Sequence, residues 1–333
     1  MAKLANTFVT TDARVNREEL ADRAEYLTPE DTPIYSLIGR GPKPQSVHPE
    51  WPIDDLRDPG DNARPEGDEY TYAAVTPPVR VGTYTQIMRD SFIMSRTQQQ
   101  INNAANVERP ARQLGKLMKA LKKDVEWAIV SNIGSEGGET RRFGGLPTWL
   151  ETNVSRGGGG ANGGYNPATG TTDEATDGTQ RVLDREDVDQ VLEDIYTSGG
   201  DAKDLFMSPR VKGQFAEFMS DPKVAEFRYA AMPDQRPTAM FNVEIYLGPH
   251  GQVRAIPNRV MSTATTARNA FLLDTDTVEF CWLRPFARDR DVSRTGDADK
   301  FIVVGEGCLK VRNEAANGMV ADLAGTRSEQ AAL

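Results

Sequence analysis

Apolar positions recur along this chain with two different periods, separated by polar spans. In 45–53, QSVHPEWPI, Val47, Pro49, Trp51 and Ile53 share one parity while His48 and Glu50 take the other. Period two predicts a strand, and its prolines place that strand at a sheet edge. Residues 79–94, rich in Val, Thr, Tyr, Ile and Phe, predict a second extended segment. Between them, DDLRDPGDNARPEGDEYTYAAVTPP (54–78) begins as acid, proline and glycine. Two strands joined by a long polar tip predict an extended hairpin with no second apolar layer beside it in sequence. A lone hairpin is only marginally stable in water. Another part of the chain, or another subunit, must therefore support it.

The longest helical pattern spans 96–132. Leu114, Leu117, Met118, Leu121, Val125, Ala128 and Ile129 fall at helical spacing, with Asn106 as a cap and Pro110 in the first turn. Arg112, Lys116, Lys119 and Lys123 run along another face, which is either solvated or turned toward something anionic. Before the hairpin, residues 1–44 are polar with sparse anchors such as Leu20, Ile34, Tyr35 and Ile38. There Thr28-Pro29-Glu30-Asp31 predicts a helix start, and Gly39 and Gly41 break the pattern.

Residues 134–180 are rich in Gly, Thr and Asn and predict an irregular or flexible loop. From Asp184 the pattern becomes α/β. Asp184 caps a helix carrying Val188, Val191, Leu192 and Ile195, which Gly199-Gly200 stops. DLFMS follows as a buried strand, and Ser208-Pro209 opens a helix with Val211, Phe215 and Phe218 inward. Val243, Ile245 and Leu247 alternate as a strand. Further strands are predicted at 271–273, 278–283, 300–304 and 308–312. There is no internal repeat.

The 333 residues make roughly two or three domain-sized pieces. The net charge of -10 argues against a dedicated nucleic-acid binder, whose affinity rests on Lys and Arg, and against adsorption to an anionic membrane. No run of 18 apolar residues spans a bilayer, and the first residues lack the apolar core of a signal peptide. Cys281 and Cys308, the only cysteines, are expected as free, buried thiols.

Candidate chemistry is sparse. His48 and His250 are expected at the surface, and two His with two Cys at scattered positions make no zinc site. The acid-rich DRDVSRTGDADK (289–300) fails as a calcium loop, because Arg294 stands where the loop needs glycine. The glycine-rich span runs into no helix with Lys-Ser or Lys-Thr, so it is no phosphate cradle. No Gly-x-Ser-x-Gly elbow occurs. We therefore expect no catalytic, cofactor-binding or metal residue, no cofactor and no enzyme. The work of this chain is to be a shape.

The order of parts carries a resemblance. A polar arm, a long hairpin, one long helix, a glycine-rich loop, an α/β unit and returning strands follow one another. LTPEDTPIYSLIGRG (27–41), the run EWPIDDLRDPGDNARPEGDEYTYAAVTPPVRVGTYTQIM (50–88), LKKDVEWAIVSN (121–132), RRFGGLPTWLETNV (141–154) and the stretch from Trp282 to Leu323 add to it. Over about residues 20 to 325, the chain resembles the major capsid proteins of tailed bacteriophages, with the Hong Kong 97 fold.

That resemblance implies an α+β fold with an N-terminal arm (1–44) and an extended E-loop hairpin (45–95). It implies a P-domain with a long spine helix and glycine-rich loop (96–183), and an α/β A-domain (184–265). Returning P-domain strands and a C-terminal A-domain segment (266–333) complete it. It implies self-assembly in hexamers and pentamers into an icosahedral virion shell, put together in the host cytoplasm. Decoration, scaffolding and portal proteins would be partners, and packaged double-stranded DNA a weak, non-specific one; no membrane is involved. Trp51, Asp54, Arg57, Asp61, Arg64, Glu66, Tyr70 and Tyr72 would meet a neighbouring subunit. Arg112, Lys116, Lys119 and Lys123 would form a stripe facing the lumen. A tail or connector subunit, an encapsulin-like shell and an unrecognised hydrolase stand as alternatives.

Overall fold

The computed structural model describes residues 31–57, 59–69, 72, 74–101, 109–218, 245–289, 292–293 and 296–325. In chain order come α1 (Pro33–Leu37), β1 (Gly39–Arg40), β2 (Glu50–Ile53), β3 (Val79–Gly82), β4 (Gln86–Ser95), α2 (Arg96–Gln100) and α3 (Pro110–Val130). Next are α4 (Leu146–Trp149), β5 (Val154–Ser155), β6 (Gly164–Asn166), β7 (Thr171–Asp173), α5 (Arg185–Thr197), β8 (Asp204–Met207) and α6 (Pro209–Phe218). The last are β9 (Ile245–Gly248), β10 (Gly251–Pro257), β11 (Ala270–Leu273), β12 (Val278–Asp289), β13 (Ala298–Val311) and β14 (Gly318–Val320).

Two sheets organise two cores. The four-stranded sheet, in order β1-β12-β13-β4, packs against α3 and α1 through Ile34, Leu121, Val125, Ile129, Phe280 and Leu309. The six-stranded sheet, in order β5-β14-β11-β8-β10-β9, packs against α5 and α6 through Val188, Val191, Ile195, Val211 and Phe215. The helix and strand signals of 184–218 are met at these positions. Asp184 accepts from the Arg185 N–H and Ser208 Oγ from the Val211 N–H, while Gly199 takes φ +85 just past the end of α5. All four residues of β8 are buried.

Several expectations change. Segment 79–94 is two strands with different partners: β3 pairs with β2, and β4 pairs with β13 in the four-stranded sheet. Residues 86–95, expected in the E-loop hairpin, thus lie in a sheet of long-range pairs. Segments 300–304 and 308–312 form one 14-residue strand, β13. Gly305 and Gly307, which fall between the two expected strands, sit under the rings of Phe286 and Phe280, where a Cβ has no room. The glycine-rich span is irregular over most of its length, as expected, but is packed near its start. α4 within it is wholly buried, and a Cβ at Gly145 would collide with the Ser131 carbonyl. Gly134, Gly144, Gly145, Gly157 and Gly163 serve close packing, while Gly138, Gly158 and Gly159 face open space, and composition does not separate the two roles.

Met118 is 39% exposed, because α3 buries its face from Leu117 onward and mainly in its C-terminal half. In β9 the expected alternation is out of phase: Tyr246 points inward, while Ile245 and Leu247 face solvent. Thr28 to Glu30, Asn106, Val243, Arg294 and the side chain of Phe218 lie outside the described residues. No helix among the described residues is long and apolar enough to cross a membrane.

Candidate assembly surfaces

The hairpin between β2 and β3 divides sharply into an anchored base and an uncovered tip. At the base, Glu50 pairs in register with Gly82 and Ile53 with Val79. The ladder continues past β2: Thr83 N–H donates to the Pro49 carbonyl and Thr85 N–H to the Val47 carbonyl. Trp51 is buried, lies 5.6 Å from the Trp149 ring, and donates from Nε1 to the Val311 carbonyl at 3.1 Å. Trp149 in turn stacks on Tyr165, whose phenol pKa is pushed up by burial and by the Glu50 charge. Lys310 holds its ammonium 5.6 Å from the Trp51 ring centroid. Arg80 ion-pairs with Glu50 across the two strands, and His48 bonds the Gly170 carbonyl at 3.0 Å.

Every described residue from Asp54 to Arg80 is exposed, and none of those from Asp54 to Pro78 is in a strand. Asp68 N–H donates to the Pro65 carbonyl around Gly67, whose φ of +86 fits the third position of a tight turn. Leu56, Tyr72 and Val75 are 97%, 94% and 92% exposed. Apolar side chains so fully wetted in one segment mark a surface that gains from a partner.

The eight residues expected to meet a neighbour therefore separate. Asp54, Arg57, Asp61, Arg64, Glu66 and Tyr72 all lie in the exposed tip. Tyr70 lies outside the described residues. The expectation for Trp51 is corrected: its side chain packs in the core of its own chain and anchors the hairpin there. The sequence reading also passed over Leu56 and Val75, whose signal was an apolar side chain inside a polar span. It passed over Arg80, Trp149 and Lys310 as well, which meet Trp51 or its strand only through the fold.

Behind the base lies a charged tie. Glu306, buried on β13, accepts from Thr85 Oγ1 and Arg141 through Oε1, and from Arg284 through Oε2, at 2.8–3.1 Å. A buried carboxylate requires such partners. It links the segment between β3 and β4, the 141 loop and β12.

Arg112, Lys116, Lys119 and Lys123 fall within an arc of about 60° on α3 at 3.6 residues per turn, opposite buried Leu121 and Ala128. Lys116 and Lys119 are exposed, and Arg112 and Lys123 half-buried. Among the described residues, no group of three or more His, Cys, Asp or Glu side chains is placed to hold a metal ion.

The sequence model for the SU10 major capsid protein family matches residues 5–324. The chain belongs to the SU10 major capsid protein family. It is 24% identical over 351 aligned positions to the major capsid protein of Escherichia phage Phieco32, covering 96% of this chain and 97% of that one. Solved structures share the fold at low identity. A capsid chain of a native GTA particle superposes with a TM-score of 0.62 at 11% identity, covering 95% of this chain and 98% of the other. The mature capsid of bacteriophage PhiM1 gives 0.60 at 11% identity, with 98% and 97% covered. A chain of Mycobacterium phage Bobi gives 0.59 at 11%, with 95% and 98% covered. This capsid protein therefore has the Hong Kong 97-like α+β fold, and its role is structural: it forms a phage head shell.

Proposed function

We propose that this capsid protein assembles, through hexamers and pentamers of itself, into an icosahedral shell around packaged double-stranded DNA, and that residues 54–80 of each copy lie on a neighbouring subunit. The observation that carries this is the contrast at the hairpin. Its base is tied into the chain through Trp51 and Val311, while its tip, with Leu56, Tyr72 and Val75, is left exposed by the described residues. Segments with little core of their own gain order when a neighbour buries them, and repeated identical contacts close a symmetric assembly.

Within this scheme residues 1–44 are the N-terminal arm, the hairpin is the E-loop and α3 is the spine of the P-domain. The six-stranded sheet with α5 and α6 forms the A-domain. Assembly takes place in the host cytoplasm, and scaffolding, portal and decoration proteins act on the shell. The acidic net charge keeps DNA contact weak, and the α3 stripe, facing the lumen, moderates the repulsion.

Deleting residues 57–69 tests the tip. The variant subunit is expected to keep the far-UV spectrum and unfolding midpoint of the parent but to yield no stable shells by electron microscopy. Shells as abundant and as stable as the parent's would overturn the assignment.

A further inference from the structure

Cys281 on β12 and Cys308 on β13 face each other directly across an antiparallel pair. Directly opposed residues in such a pair have Cα atoms about 4.5–5.5 Å apart and side chains on the same face. That spacing lies inside the window of roughly 4.4–6.8 Å that a disulfide spans. Both thiols are free and nearly covered, at 3% and 1% exposure. The backbone of Gly41 runs so close over Cys281 that a Cβ there would strike Sγ.

The pair is nonetheless not sealed in the core. Both cysteines line a surface cavity of about 340 Å³, together with Lys43, His48, Glu50, Arg80 and Lys310; Glu50 pairs with Arg80 and Glu279 approaches Lys310, so the lining is basic only in net. Basic surroundings favour a thiolate and attract an anionic thiol reagent. The bond from Cys308 and the nearby Lys310 charge hold the Cys281 thiol below its ordinary range, while that same bond and burial push Cys308 up. The opposed thiols, hydrogen-bonded to each other with Lys310 beside them, can thus hold one thiolate between them.

We propose that Cys281 and Cys308 form a modifiable dithiol site that takes a small-molecule disulfide and closes an intrachain bridge between β12 and β13. The Cys281 thiolate attacks one sulfur of the disulfide RSSR; its S–S bond breaks and one RS⁻ leaves, taking the Cys308 proton. The Cys308 thiolate then attacks Cys281 Sγ, and the second RS⁻ leaves and takes the proton that Cys281 released to solvent. The dithiol loses two electrons, and RSSR becomes two RSH. The bridge would clamp the register just before the irregularity at Trp282 and Arg284. Its biological occasion rests on the shell role proposed above, since a virion leaves a reducing cytoplasm for oxidising surroundings.

The test uses the full-length, unassembled subunit with oxidised glutathione, read by intact mass under native conditions, so it does not depend on shell formation. The parent is expected to lose the mass of two hydrogen atoms and to recover it with dithiothreitol. Cys308→Ser is expected to stop at a single glutathione adduct, and Cys281→Ser to react at least tenfold more slowly. A parent that stays unmodified while folded, yet reacts in urea, would overturn the proposal. So would two independent adducts, or equal rates for both variants when their circular dichroism shows them folded.

Discussion

Trp51 and Val311, 260 positions apart, are joined by a hydrogen bond of 3.1 Å from the indole N–H to the main-chain carbonyl. The bond fixes the base of the hairpin to the end of the longest strand of the four-stranded sheet, and Trp149 covers the indole from another side. Removing a buried Trp side chain costs about 3–5 kcal/mol through lost transfer energy and the cavity left behind. Trp51→Ala is therefore expected to lower the stability of the unassembled subunit by that amount in urea titration. Trp51→Phe keeps most of the apolar contact and leaves the Val311 carbonyl unpaired, an expected loss of about 1–3 kcal/mol. Unfolding midpoints unchanged in both variants would show that the indole does not hold the base.

Glu126 ties the first described helix to the spine. From α3 it accepts the Ile34 and Tyr35 N–H groups at 3.0 and 2.7 Å, the open donors of the first turn of α1, and also the Asn258 amide at 2.6 Å. Burial raises its pKa above the ordinary 4.5, against the opposing effect of those bonds. With the folded pKa above the unfolded one, the folded chain binds the proton more tightly. The stability this contributes is fully present below the unfolded value and is lost as pH rises through the folded value. The stability of the parent minus that of Glu126→Gln should thus decrease from about pH 4 upward, then level off. Denaturant midpoints of both proteins across that range measure it; a difference that grows with pH contradicts the shift.

The basic stripe on α3 gives a third expectation. If Arg112, Lys116, Lys119 and Lys123 face the lumen, replacing all four with Gln removes four positive charges opposite the DNA. The stripe lies opposite the buried face of α3, so subunit folding should hold. Filled particles should then lose DNA retention, most visibly at low salt, where charge contacts are strongest. Packaging and particle stability equal to the parent at every salt concentration would remove the stripe from that role.

The sequence made the local parts of this structure legible. The caps at Asp184 and Ser208, the stop at Gly199 and the buried face of α3 from Leu117 to Ile129 follow from side chains close in sequence. What stayed hidden depends on partners far away. Val47 to Ile53 reads as a strand, yet nothing near it reveals that Trp51 meets Trp149 and Val311. Strands expected at 300–304 and 308–312 leave Gly305 and Gly307 between them, and only the fold shows the rings of Phe286 and Phe280 occupying the space a Cβ would need. The tip was the converse case. Its acids, prolines and glycines showed that it has no core of its own, and the exposure of Leu56 and Tyr72 agrees with that. Contact with a neighbour leaves no mark in a single sequence beyond such unburied side chains.

Hydrogen exchange compared between unassembled subunits and purified shells tests the central claim most directly. In the free subunit, amides of 54–78 should exchange nearly as fast as an unstructured peptide, while those of β2 and β3 are protected by their ladder. In shells the tip amides should slow by at least about tenfold, corresponding to about 1.4 kcal/mol of added protection, as a neighbour covers them. Equal, fast exchange of the tip in both forms would contradict the account.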